Sequence, residues 1–220
     1  MLTWTDGRVM HGADLVGATL ALGGNPVRIA AAQPDPADRT GETWLYDLRL
    51  ADDTPACGPA PDGTRLALPL PDPTAPGGFG MTCTGGAAGK CVRFGYAPWR
   101  LAPDGRTALA PYHLACMNLV RAAYGSPAHG WTRNGMRIDL FDHIGIQHPD
   151  NLPGMTFEAG WSPTGAVCIA HPRVPENGSL AAVVAAHPRL AATAGPQACT
   201  EAAATAAGAL LFNRSVPPPG

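Results

Sequence analysis

Cys83-Thr-Gly-Gly-Ala-Ala-Gly-Lys-Cys91 runs straight into Val92-Arg-Phe-Gly-Tyr-Ala-Pro-Trp99, and Ala115-Cys116-Met-Asn-Leu-Val-Arg-Ala-Ala-Tyr124-Gly125 follows. Three of the six cysteines of the chain lie in this stretch; the others are Cys57, Cys168 and Cys199. An even count without zinc-knuckle spacing reads as a disulfide framework, which places the protein outside a reducing cytosol. The glycine-rich loop Thr84–Lys90 is not a phosphate loop. Thr84 stands where the first glycine of such a loop is needed, and Cys91 replaces the Ser or Thr that would bind magnesium. The glycines instead allow a tight turn or a close backbone approach beside a disulfide.

Composition sets the frame around this block. Gly and Pro number 27 and 24 of 220 residues, and aromatics are only 6%. Five tryptophans, six cysteines and 45% hydrophobic residues nevertheless supply a core and its staples, so the chain reads as globular and loop-rich. Fifteen basic against 17 acidic residues leave no field to steer nucleic acid or anionic lipid. No apolar run reaches the roughly 20 residues that span a bilayer. Met1-Leu-Thr-Trp-Thr-Asp-Gly-Arg8 lacks a signal-peptide pattern, so the sequence is expected to start at a mature or trimmed chain.

Pattern along the chain predicts an α+β protein. Residues 1–54 form an antiparallel β unit of about three or four strands, drawn from 14–22, 27–30 and 43–50. Residues 51–78 are turn-dense and read as a linker or surface excursion anchored by Cys57. Residues 55–216 form a disulfide-stapled, loop-rich α+β region, and 217–220 a Pro-rich tail. In that region His113–Tyr124 has helical spacing, with Pro111 near its start and Gly125 at its stop. Met136–Asp142 alternates like a strand. Phe157–Trp161 and Gly165–Ala170 pair through a turn at Ser162–Gly165. Ser179 caps a helix over 180–186 that Pro188 ends, and the Ala-rich run Gln197–Phe212 is expected to be a second helix.

Polar residues offer few sites. Asp139, Asp142, His143 and His148 are the densest cluster, which makes His143 and His148 candidates for a metal against the plainer reading of a solvated strand end. Cys116 near a helix start and His143 entering a strand do not make a complete catalytic set, but they are the pair that a cysteine hydrolase would use. Only 26 residues separate them, which argues against it, and a cysteine among five others is more simply half of a disulfide. The tryptophans are too dispersed for a sugar platform, and most are expected in the core.

The Cys83–Cys91 block with Phe94-Gly-Tyr-Ala-Pro-Trp99 resembles the signature of bacterial ADYC-domain proteins. So do Ala115-Cys116 with Leu119–Gly125, Gly135-Met-Arg-Ile-Asp-Leu-Phe-Asp142, Phe157–Trp161 and Gly165-Ala-Val-Cys168. The resemblance covers roughly residues 55–215. The string that names the family, Ala-Asp-Tyr-Cys, reads Ala122-Ala123-Tyr124-Gly125 here, without the acid and the cysteine. The resemblance implies an exported, cysteine-rich domain and brings no activity, cofactor or catalytic residue with it.

The expected role is therefore a non-enzymatic accessory or structural subunit of a cell-surface or periplasmic assembly, with a protein partner and no nucleic acid. The alternatives are a secreted hydrolase using Cys116 and His143 and a metal binder at His143/His148. Six cysteines allow fifteen pairings among which sequence cannot choose. The expected ones are Cys83–Cys91, Cys168–Cys199 and Cys57–Cys116.

Overall fold

Apolar residues at every second position from Thr19 onward build a sheet rather than a helix, because that period puts one face inward. The computed structural model describes residues 2–3, 9–72, 78–126 and 129–218, which divide into two compact units, Met1–Arg93 and Phe94–Gly220. Trp4, residues 73–77 of the expected linker and the last two residues of the expected 217–220 tail lie outside the described residues.

In the first unit, β1 (Leu2–Thr3) and β2 (Val9–Met10) pair as a short ribbon, and a 3-10 turn covers Gly12–Leu15. Five strands then follow one another as an antiparallel meander: β3 (Thr19–Leu22), β4 (Asn25–Pro34), β5 (Trp44–Arg49), β6 (Leu66–Pro71) and β7 (Phe79–Cys83). Val27 and Ile29 of β4, with Tyr46 and Leu48 of β5, face one buried cluster that also takes in Leu15, Cys57 and Ala67.

The sheet has five strands where three or four were expected, because part of the turn-dense stretch 51–78 is itself strand. Pro69 disguises it. In the structure β5 pairs only with Leu66 and Ala67 of β6, so the proline, which has no N–H to donate, sits beyond that pairing and meets β7 alone, opposite Met81.

The glycine-rich loop turns the chain from β7 into α1 (Ala87–Arg93). Thr84 is buried, and both its N–H and its hydroxyl donate to the Leu66 carbonyl, at 2.8 and 3.1 Å. Gly89 lets the helix lie directly on the end of the strand: a Cβ there would stand 2.3 Å from the Cys83 carbonyl oxygen. Arg93 closes the turn by donating from Nε to the buried Asp35 carboxylate at 3.1 Å, with Asp62 beyond at 3.6 Å.

In the second unit, α2 (Ala110–Arg121) is followed by β8 (Asp139–Asp142), β9 (Thr156–Ser162), β10 (Gly165–Ile169), α3 (Leu180–Ala186), α4 (Glu201–Ala206) and β11 (Leu211–Ser215). The β9–β10 hairpin turns at Ser162–Gly165, and Ser179 caps α3 by accepting from the Ala182 N–H. The expected helix over Gln197–Phe212 is instead a two-turn helix and a strand. Gly208 takes a left-handed φ of +82°, which ends the helical run, and Leu211 and Phe212 are drawn into the core. Sheet order is β10-β9-β11-β8, so the last strand in sequence lies between β9 and β8.

All six cysteines are disulfide-bonded. Cys168 joins Cys199, as expected, and ties the start of α4 to the edge strand β10. The other two expected pairings do not form: Cys57 joins Cys83 instead, with Cα atoms 5.5 Å apart. Cys83 is thereby taken, and Cys91, inside α1, does not make the local closure that spacing suggests. The two closures span 26 and 31 residues, lengths at which each restricts the unfolded chain by about 3–4 kcal/mol.

Candidate functional site

Of the residues that sequence pointed to, Cys116 lies in the middle of α2 rather than near its start, is fully buried and is bound in a disulfide. A sulfur so bound has no thiolate to attack with. His143 faces solvent, where its Nε2 lies 3.1 Å from Glu201 Oε1 and its ring stacks on Phe212 at 4.4 Å. His148 is exposed. Among the described residues no three His, Cys, Asp or Glu side chains converge as a metal site would require.

The two aspartates of that cluster organise its loop. Asp142 accepts from the N–H groups of Ile144, Ile146 and Gln147 at 2.8, 3.2 and 2.8 Å and from the Tyr96 hydroxyl at 2.6 Å. Asp139 accepts from the N–H groups of Asp150 and Asn151 at 2.9 and 3.2 Å. Each carboxylate replaces the partners that a chain reversal takes from the backbone.

The most concentrated polar chemistry lies elsewhere, in the interior of the second unit. Glu158 on β9 and Arg173 after β10 form an ion pair whose side chains are 0% and 1% exposed. Arg173 donates from Nε to Glu158 Oε1 and Oε2 at 2.9 and 3.0 Å and from Nη2 to Oε1 at 2.8 Å. The Tyr124 hydroxyl donates to Oε1 at 2.9 Å, and Asn213 Nδ2 to Oε2 at 2.7 Å. Trp161 Nε1 donates to Asn213 Oδ1 at 2.8 Å and its ring stacks on Tyr124 at 5.3 Å. The Tyr124 oxygen in turn accepts from the Arg173 backbone N–H at 3.2 Å.

Burial alone would raise the Glu158 carboxyl; the Arg173 charge and the hydrogen bonds overcome it and hold the group below its usual range. Burial and the Glu158 charge push the Tyr124 phenol well above its usual value. A general base needs a lone pair open to substrate, and both oxygens of Glu158 are already engaged inside the protein. The cluster holds β9, β11 and the segments at 124 and 173 together; it is a satisfied network rather than an active centre.

Sequence reasoning missed this cluster. Its one signal was a glutamate in the middle of the strand Phe157-Glu-Ala-Gly-Trp161, a charge that a buried strand keeps only with a partner.

Large apolar side chains stay exposed in the same unit: Trp99 is 40%, Leu101 55% and Leu114 45% accessible. Trp161 and Trp131 are core, as expected for most of the tryptophans, while Trp99 is exposed.

The ADYC domain family matches residues 12–175, about three quarters of the chain, and the protein belongs to that family. The match takes in the first unit from residue 12, earlier than the signature block suggested, and it stops before α3, α4 and β11. No curated protein and no solved structure matches the chain. Three disulfides fit an extracytoplasmic protein, and among the described residues no helix is long and apolar enough to cross a membrane.

Proposed function

We propose that the protein is a non-enzymatic accessory or structural subunit of a bacterial cell-surface or periplasmic assembly, and that it works by holding a protein partner. The observation that carries this reading is the exposure of Trp99, Leu101 and Leu114 within sixteen residues of one unit, at 40, 55 and 45%. Large aromatic and aliphatic side chains left in water are what partner surfaces are made from. The oxidised cysteines point the same way, since every sulfur is used to hold the fold and none is kept for chemistry.

The reading is tested by placing a photo-crosslinking side chain at Trp99 or Leu101 and irradiating cells that export the protein at its native level. A discrete adduct, reduced at least tenfold when Leu114→Ser is added, is the expected result. Crosslinks that are absent, or that persist unchanged with Leu114→Ser, count against this surface. Fractionation of the same cells separates the periplasm from the outer surface.

A further inference from the structure

Two rings in the second unit lie against glycines and carry buried nitrogens that no group among the described residues meets. His187, between α3 and the 3-10 turn at Pro188–Thr193, lies over Gly125, where an added Cβ would stand 1.9 Å from its Cγ. Trp131 lies over Gly178, where an added Cβ would stand 2.2 Å from its Cζ3. The two rings meet edge to face with centroids 6.3 Å apart, and His129 meets Trp131 the same way at 4.8 Å. Trp131 Nε1 and His187 Nε2 are both buried without a hydrogen-bond partner.

Such a seat suits a neutral imidazole. A second proton would place a cation where no acceptor of the described residues reaches Nε2. The ionisable groups whose charge bears on the ring are Arg189, the second residue of the following turn, and His129 on the Trp131 segment, and both repel it. Arg189 is itself fixed, donating from Nη1 to the Ala166 carbonyl at 2.7 Å and from Nη2 to the Tyr124 carbonyl at 2.9 Å, so it does not swing aside. Burial first, then these two charges, hold the His187 imidazole below its usual range.

We propose that His187 is an acid-released latch: neutral, it fills the space over Gly125 and closes against Trp131, and protonated it leaves that seat and frees the Trp131 indole. The sign follows from linkage. The unseated ring binds a proton more readily than the seated one, so the latch is fully held above the free imidazole value of about 6.5 and loosens as the pH falls below it. The unseated population then rises by up to about tenfold per pH unit until the seated ring itself titrates. Residues 129–131, 178 and 187 are the ones that move. Their backbone ties include the Trp131 backbone N–H, which donates to the Ala122 carbonyl at 3.2 Å, the Asn177 amide, which donates to the Trp131 carbonyl at 3.3 Å, and the His187 backbone N–H, which donates to the Val183 carbonyl at 2.9 Å.

The test follows the oxidised full chain by proton–nitrogen correlation spectra between about pH 7.5 and 4.5, the range in which histidine changes charge. The Trp131 indole signal is assigned from Trp131→Phe, and the His187 ring is followed directly. The expected result is an indole that titrates together with the His187 ring at a midpoint below about 6.5. Its titration is lost in His187→Phe, which keeps a planar ring in the seat, and is retained in His129→Gln. An indole that does not move, or that still titrates in His187→Phe, overturns the proposal. Should His187→Phe fail to fold, the wild-type spectra decide: a His187 midpoint at or above about 6.5, or a His187 titration that leaves Trp131 unmoved, overturns it equally.

Discussion

The Tyr124 hydroxyl sits 2.9 Å from Glu158 Oε1 in the interior of the second unit and takes the Arg173 backbone N–H on its other side. One oxygen thus joins the segment after α2, the strand β9 and the chain beyond β10. The Tyr124 ring is also fully buried against Trp161.

Tyr124→Phe keeps the ring and removes the hydroxyl, leaving the Arg173 N–H and one Glu158 lone pair without a partner. We expect a loss of about 1–3 kcal/mol, the range for stranding buried polar groups. Urea unfolding measures it. A loss below about 0.5 kcal/mol, the scale of an ordinary surface change, counts against the role given to this hydroxyl.

Arg173→Met strands the Glu158 carboxylate and is expected to cost about 3–5 kcal/mol, whereas Glu158→Leu combined with Arg173→Met recovers much of that loss. Non-additivity in this double-mutant cycle is the diagnostic readout.

Acid acts on the same pair. The Glu158 carboxyl is held below its usual range in the folded protein, so its contribution is complete above the unfolded value of about 4.3 and is lost as the pH falls below it. The stability gap between wild type and Glu158→Gln therefore narrows on going from neutral pH to about pH 3, and a gap that widens contradicts the assignment.

Gly89→Ala reverses the usual effect of adding alanine to a helix, which alone would help by about 1 kcal/mol. Here the new Cβ would meet the Cys83 carbonyl at 2.3 Å and the Thr84 Cα at 2.9 Å. A net loss of about 1–3 kcal/mol is expected, the scale of overpacking. Thermal unfolding of Gly89→Ala beside the wild type reads the sign directly.

Proteolysis of the unreduced chain should release linked peptides carrying Cys57 with Cys83 and Cys168 with Cys199. Recovery of a Cys83–Cys91 peptide would contradict the fold of the glycine-rich turn. Removing the Cys168–Cys199 bridge as a pair of alanines is expected to cost about 2–4 kcal/mol.

Elements with local signatures were legible in the sequence. Ser179 announces α3 through its own capping bond, and the turn at Ser162–Gly165 lies between two apolar runs that pair as read. What failed depended on distant partners. The alanine-rich composition of residues 201–207 favours helix, but nothing near Leu211–Ser215 tells that these residues complete a sheet with strands 50 to 75 positions earlier. Two of the expected disulfides failed for a related reason, since Cys83 bonds to Cys57, 26 positions earlier, rather than to Cys91 nearby. The Glu158–Arg173 pair was missed: the glutamate inside its apolar strand was a signal left unread, and Arg173, between Pro172 and Val174, looks in sequence like any surface arginine.

The position of β11 has a consequence for the order in which the chain can be finished. Leu211–Ser215 hydrogen-bonds to β8 on one side and to β9 on the other, and Asn213 on this strand also completes the Glu158 network. While the chain emerges from a ribosome or a translocation pore, β8 has no neighbour and the buried carboxylate lacks one of its donors until residue 215 is out. A chain cut anywhere before 211 leaves β9 with an open edge, the kind of edge that pairs with other chains. The second unit is therefore a late assembler, exposed to misassociation for as long as its last strand is still in transit.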